Sequence, residues 1–285
     1  MKFWHNHVHQ RSVALLIVLV GSFFSCEANG QHDSSKYLSR RYDENTYLTT
    51  HNSMSNAADR WLFPNQTHTI TRQLTDGARA LMLDLHIVDG EVHLVHSKPF
   101  LGKRLLTDGL IEIRHFLEKT PKAVVTIIFE SYVPADAVKQ CFDETELTKF
   151  VHSQQVNDPW PTLNQLISTG KRLVLFTDRG GGQWSGYHDV WTFCTETHFS
   201  VKSVDDFSFE FNRGKPTNRL FILNHFLTNP VASASLARQA NNPDLLNNRI
   251  ETCHRQTKHL PTFVVVDFFE IGDTVKTVQQ FNMKK

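Results

Sequence analysis

"AVVTIIFE", residues 123–130, is the stretch on which the fold turns. Five successive residues, Val124 to Ile128, are β-branched, and no charged side chain breaks the run before Glu130. A strand with one wet face alternates apolar and polar residues. A run that is apolar on both faces is buried on both, as in a parallel sheet covered by helices. Six further runs share this character: "TYLTTHN" (46–52), "RALMLDLHI" (79–87), "EVHLVH" (91–96), "RLVLFTD" (172–178), "RLFILNH" (219–225) and "TFVVVDF" (262–268). Helical patterns fall between several of them, at 68–76, 107–119, 135–155, 162–169, 231–258 with a break at Pro243, and 273–282. Strands alternating with helices make this an α/β chain.

Each run ends in a polar or titratable residue: His51 and Asn52, Asp84 and His86, His96, Glu130, Asp178, Asn224 and His225, Asp267. One such ending is a strand cap. Seven alike point to the common face on which all strand C-termini of a parallel barrel open, and that face carries the active site.

The rest of the chain narrows the function. Its 285 residues, 40% hydrophobic, suffice for one large core. A net charge of +1 is too small for a counterion-driven grip on nucleic acid. "VALLIVLVGSFF" (13–24) has the length of a signal-peptide core and is short for a membrane span, so residues 1–25 are expected to direct export and no transmembrane segment is expected in the mature chain. Cys26 and the polar stretch after it match a lipid-modified cysteine with a flexible tether over 26–42; cleavage near Ala28 or Gly30 is the alternative. His5, His7 and His9 alternate inside the segment expected to be removed. Cys141, Cys194 and Cys253 can form at most one internal bridge, and none has zinc-ligand spacing. Asn65-Gln66-Thr67 is a glycosylation sequon.

"THNS", then "DGARALMLDLHIVDGEVHLVHS", "VVTIIFES", "LFILNHFLT" and "FVVVDFFEIGD" together resemble the catalytic domain of phosphatidylinositol-specific phospholipase C, in the form of its small secreted members, over residues 43–285. The resemblance implies a (βα)8 TIM-type barrel, irregular or incomplete. It also implies cleavage of a phospholipid head-group diester at a membrane surface, by a protein secreted or lipid-anchored outside the cytoplasm.

Phosphodiester cleavage needs a base for the attacking hydroxyl, an acid for the leaving oxygen and positive charge at the nonbridging oxygens. By resemblance His51 is the base, His96 the acid, and Asp267 orients the base; the nucleophile is the substrate's own inositol hydroxyl. Asn52, Asp84 and Glu130 stand where calcium-dependent members hold their ion, and three oxygen donors suit a hard divalent cation such as Ca2+. Met82 replaces a second acid of the animal enzymes. Lys98 and Arg179 are candidate phosphate contacts, and His93 is expected to face away from the mouth. "RGGGQWSGYHDVWTF" after Asp178 lacks GK[ST] and reads as a mobile rim loop, whose Trp184, Tyr187, Trp191 and Phe193 either dip into lipid or pack on the barrel. Two other functions share parts of this pattern: a glycerophosphodiester phosphodiesterase or sphingomyelinase D-like enzyme, which carries an ExD pair absent from Met82-Leu83-Asp84, and a non-catalytic head-group or glycan binder.

Overall fold

The structure, a computed structural model, describes residues 1–2 and 36–284. The expected leader, Cys26, most of the tether and the three alternating histidines lie outside them. Eight parallel strands curl into an incomplete barrel: β1 (Tyr47–Thr50), β2 (Ala80–Val88), β5 (Val125–Ser131), β6 (Leu173–Thr177), β7 (Tyr187–Asp189), β8 (Cys194–Glu196), β9 (Leu220–Asn224) and β10 (Phe263–Val266). Neighbours follow chain order, β10 lies beside β1, and β7 and β8 do not pair, which leaves one open seam. Helices cover the outside, among them α1 (Ile70–Asp76), α2 (Leu106–Lys119) and α3 (Ala135–Glu144) early in the chain. After α4 (Leu163–Ser168) and α5 (Val190–Phe193) come α6 (Ala234–Ala240), α7 (Pro243–Thr257) and α8 (Thr274–Met283).

Two sequence readings need correction. "EVHLVH" is not a barrel strand: β3 (Glu91–Leu94) runs antiparallel to β2, with β4 (Arg104–Leu105) beyond it. Strand β2 is nine residues long and overshoots the mouth, and the Asp89-Gly90 turn, both residues at positive φ, sends the chain back. The apolar pattern of a hairpin arm packed against helices is the same as that of a barrel strand. The stretch after Asp178 is not a rim loop either. It holds β7 and α5 and leads directly into β8, and strands of three residues show no periodicity. Tyr187 and Phe193 are buried, and Trp184 stacks on Tyr187 at 4.9 Å, so these aromatics pack on the barrel.

Strand alternation builds the barrel in layers. Leu81, Leu83 and Leu85 of β2 join Val125, Ile127 and Phe129 of β5 in the outer core under the helices. The intervening residues face inward: Ala80 and Met82, Ile128, Val174 and Phe176, Ile222, Phe263 and Val265 share an inner core with Tyr47 and Trp160. One more step of two replaces the apolar residue by Asp84, Glu130, Asp178, Asn224 and Asp267, and on β1 the column continues from Tyr47 through Thr49 to His51. The interior is therefore packed below and polar at the rim. The packed body begins before residue 43, because Tyr42 is fully buried, stacks on Trp160 at 4.6 Å and bonds Thr126 Oγ1 through its hydroxyl at 2.7 Å. All three described cysteines are buried and free.

Candidate active site

His51 follows β1 and Asp267 follows β10, which pair in register at Thr50 and Val266. The next residues on the two strands meet: His51 Nδ1 lies 2.9 Å from Asp267 Oδ1. The imidazole also stacks on Phe226, with ring centroids 3.8 Å apart. With Nδ1–H donating to the carboxylate, Nε2 is left as the basic nitrogen.

His96 arrives on the hairpin rather than on a barrel strand. The N–H of Val95 donates to Asp84 O, which brings His96 back to the level of the rim. Burial lowers its pKa below the ordinary histidine value, and the charge of His51 lowers it further. The two histidines line a common cavity of about 440 Å3 that also touches Asn52, Asp84, Glu130 and Phe199.

All three of His51, His96 and Asp267 are followed by a non-glycine residue at positive φ: Asn52 (44°), Ser97 (68°) and Phe268 (45°). Left-handed backbone costs about 1–3 kcal/mol at such residues and concentrates at functional corners. Here it turns the chain away from the barrel directly after the functional side chain.

The proposed metal ligands also come together. Asp84 and Glu130 are direct register partners on neighbouring strands, so their side chains leave the same face. Asp84 has no hydrogen-bond partner for its carboxylate among the described residues; it is held well above the usual carboxylate range by burial first, then by the charges of Glu130 and Asp178. Burial likewise raises Asp178, even though Ser131 N–H donates to it at 2.7 Å. Glu130 opens to the mouth and accepts from the Tyr132 hydroxyl at 2.6 Å. Among the described residues no group of three or more His, Cys, Asp and Glu is arranged to hold a metal; the set here is two carboxylates and the Asn52 amide. A buried, unpaired carboxylate crowded by two others fits a cation, which would relieve that repulsion.

The inner end of the mouth, a cavity of about 110 Å3, adds residues the sequence reading did not single out. Glu196 on β8 is 2% exposed, accepts from Asn224 Nδ2 at 3.1 Å and is paired with the Arg213 guanidinium. Arg213 lies between the rings of Trp191 (4.4 Å) and Phe199 (4.6 Å). Its loop pairs with Glu196 through Glu196 N–H to Arg213 O and Asn212 N–H to Glu196 O. Gly214, at φ 80°, permits that approach, since a Cβ there would lie 2.1 Å from Cys194 O. Arg213 is thus the cation of the inner mouth. Arg179 instead stacks over Tyr132 at 4.1 Å and Lys98 is exposed at the surface. His225 leaves the ring: it points outward, donates from Nε2 to Ala240 O at 2.7 Å and is completely buried. His93 is buried away from the mouth, with Nδ1 3.1 Å from Glu91 O.

The family model PI-PLC X 1 matches residues 37–282. The chain belongs to the PI-PLC X family. It is 28% identical over 263 residues to a PI-PLC X domain-containing protein of Arabidopsis thaliana, covering 81% of this chain and 59% of that one. It is 26% identical over 270 residues to PI-PLC X domain-containing protein 1 of Arthroderma benhamiae, covering 87% of each. An uncharacterized secreted protein of the same fungus is 26% identical over 281 residues, covering 88% of this chain and 62% of that one. The chain thus spans about three-fifths of the Arabidopsis protein and of the secreted fungal protein. Among solved structures, the phosphatidylinositol-specific phospholipase C of Listeria monocytogenes superposes with a TM-score of 0.61 at 17% identity, over 85% of this chain and 94% of that one. The Staphylococcus aureus enzyme gives 0.61 at 14% identity, over 89% and 96%. These structural likenesses share the PI-PLC X barrel with this chain.

Proposed function

We propose that this PI-PLC X chain is an exported phosphodiesterase that cleaves the head-group diester of a phosphoinositide-type phospholipid. The observation that carries the reading is the pair of histidines over one cavity, one of them held at 2.9 Å by a buried aspartate. His51 Nε2 takes the proton of the hydroxyl next to the phosphodiester, and that oxygen attacks phosphorus. The bond from phosphorus to the glycerol oxygen breaks, and His96 donates a proton to the departing alkoxide. The products are a cyclic phosphodiester and diacylglycerol, with no covalent enzyme intermediate.

Asn52, Asp84 and Glu130 would hold a divalent cation, Ca2+ by donor type, with water and substrate oxygens completing the shell. When bound it would supply positive charge to the nonbridging oxygens and acidify the attacking hydroxyl.

Two features favour a lipid over a water-soluble diester. An annex of about 250 Å3 opens beside His51 and His96 and is walled by Leu62, Phe63, Leu101 and Val231. His96 lines this annex and the outer cavity, whereas the inner polar cavity touches His51 alone. The acid therefore stands on the side where an apolar leaving group fits. Around the mouth, Leu62, Phe63, Phe100, Phe199 and Val231 are exposed, Phe100 by 78%. An apolar rim of this kind marks an interaction surface, here fitted to a membrane. No helix among the described residues is long and apolar enough to cross a membrane. Export is supported by the leader-like residues 13–24 and by the secreted relative.

Purified protein incubated with vesicles of single phospholipid classes, with Ca2+ or with chelator, tests the reading. Phosphatidylinositol should be cleaved and phosphatidylcholine spared. Release of phosphocholine or of glycerol phosphate instead would reject it.

A further inference from the structure

Asn65 is the first residue of the sequon, yet its side chain sits inside the active-site wall at 1% exposure. Its Nδ2 donates to Asp267 Oδ1 at 2.9 Å, the same oxygen that faces His51 Nδ1, and lies 3.4 Å from that nitrogen. Its Oδ1 accepts from Asn52 Nδ2 at 3.4 Å, and its backbone carbonyl accepts from Phe268 N–H at 2.8 Å. Asn52 and Phe268 are the two left-handed residues that follow His51 and Asp267. One residue therefore ties both strained corners and the carboxylate between them. The adjoining Gln66 adds bonds from Nε2 to His51 O at 2.8 Å and to Val266 O at 3.0 Å. The Asn65 backbone is anchored separately, through its N–H to Ser55 O at 2.9 Å.

We infer that Asn65 is a positioning residue for the base, acting through Asp267; the inference rests on the reading of His51 as that base. Asp267 Oδ1 receives two donors, while Oδ2 is buried with no hydrogen-bond partner. The Asn65 bond thus selects the carboxylate rotamer in which Oδ1 meets His51, and that contact selects the Nδ1–H tautomer with Nε2 free to take a proton. The same geometry accounts for the sequon. A glycan would attach to Nδ2, the atom that serves Asp267, at a position closed to solvent, so the native enzyme carries Asn65 unmodified.

The test uses the full chain with Asn65→Ala and the near-isosteric Asn65→Asp, each checked by thermal unfolding for an intact fold. Asn65→Ala should lower kcat about tenfold, the worth of one hydrogen bond to a charged group, with KM changed less than about twofold. Introduced into Asp267→Ala it should cost less than about twofold more, because the carboxylate it positions is already gone. Asn65→Asp, which removes the donor, should lose at least as much as Asn65→Ala. Nitrogen-15 spectra of labelled histidine should show His51 as the Nδ1–H tautomer in the wild type and as a tautomer mixture in both variants. An equal loss in the Asp267→Ala background, or an unchanged tautomer, would overturn the inference. Full activity of His51→Ala would instead remove the base assignment, and the tautomer spectra still decide whether Asn65 positions the ring.

Discussion

Replacing Asp267 by Asn keeps the shape of the side chain and removes its charge. In the proposed reaction His51 accepts the proton of the attacking hydroxyl and becomes an imidazolium, and the carboxylate stands 2.9 Å from its Nδ1. Asp267 is 3% exposed, so solvent screens the pair little. At that distance and an effective dielectric of about 20, a unit charge pair is worth roughly 6 kcal/mol, an upper figure because the charges are spread over both groups. The rate loss should then be about 10^3- to 10^4-fold in kcat. His51 should keep its place, since the stack on Phe226 and the bond from Gln66 Nε2 to its carbonyl do not involve Asp267. The assay is steady-state turnover of phosphatidylinositol in vesicles, with the unfolding temperature measured beside it. A loss smaller than about tenfold in a folded variant would refute the assignment of Asp267 to the base.

His96→Ala should lower turnover by about 100-fold or more, and because burial depresses His96 and the acid must be protonated, wild-type kcat/KM should fall as pH rises through a pKa below 6.5; a decline only above pH 7 would contradict this. Asp84→Asn should raise the unfolding temperature at pH 7 while lowering activity, because a carboxyl raised in the folded state loses stability as pH rises above its unfolded pKa; Ca2+ should raise the unfolding temperature of the wild type and much less that of the variant, and equal shifts would remove Asp84 from the cation site. His225, held at about 3 by burial and by the Arg249 charge, stays neutral in the fold and protonates below 6.5 when unfolded, so its contribution is lost as pH falls. Between pH 7 and 5 that loss is about 2 kcal/mol, or roughly 4–8 °C in unfolding temperature, and His225→Gln should flatten the acid side of the stability profile by that amount. Phe63→Ser with Phe100→Ser should weaken vesicle binding while sparing turnover of a soluble inositol phosphodiester; equal losses on both substrates would contradict a docking role for the rim.

Much of the barrel was legible because its inward columns repeat one pattern, apolar residues closed by a polar one, as in Ala80, Met82 and Asp84 or Phe263, Val265 and Asp267. The endings at His51, Glu130 and Asp178 were visible for the same reason. The hairpin of β3 was not separable from a barrel strand, since burial on both faces leaves the same composition whichever way the strand runs. Strands β7 and β8 are too short to carry a period, so Glu196 went unnoticed among loop residues. Arg213 and Asn65 had no signal at all. Their roles come from long-range contacts, with Glu196 across the seam and with Asp267 202 residues away, and Asn65 was further masked by a sequon that suggested exposure. His225 shows the opposite error: one residue beyond Asn224 the alternation turns a histidine out of the mouth and into the helical layer.

The central claim is that His51 and His96 transfer a proton around attack by the substrate's own hydroxyl. Phosphorus-31 spectra of phosphatidylinositol vesicles treated with the protein test it most directly. The account predicts a new resonance of a five-membered cyclic phosphodiester, formed with diacylglycerol, absent with His51→Ala and with His96→Ala. A product that is an acyclic monoester from the first turnover, phosphatidate, or an unchanged spectrum with and without Ca2+ would contradict it.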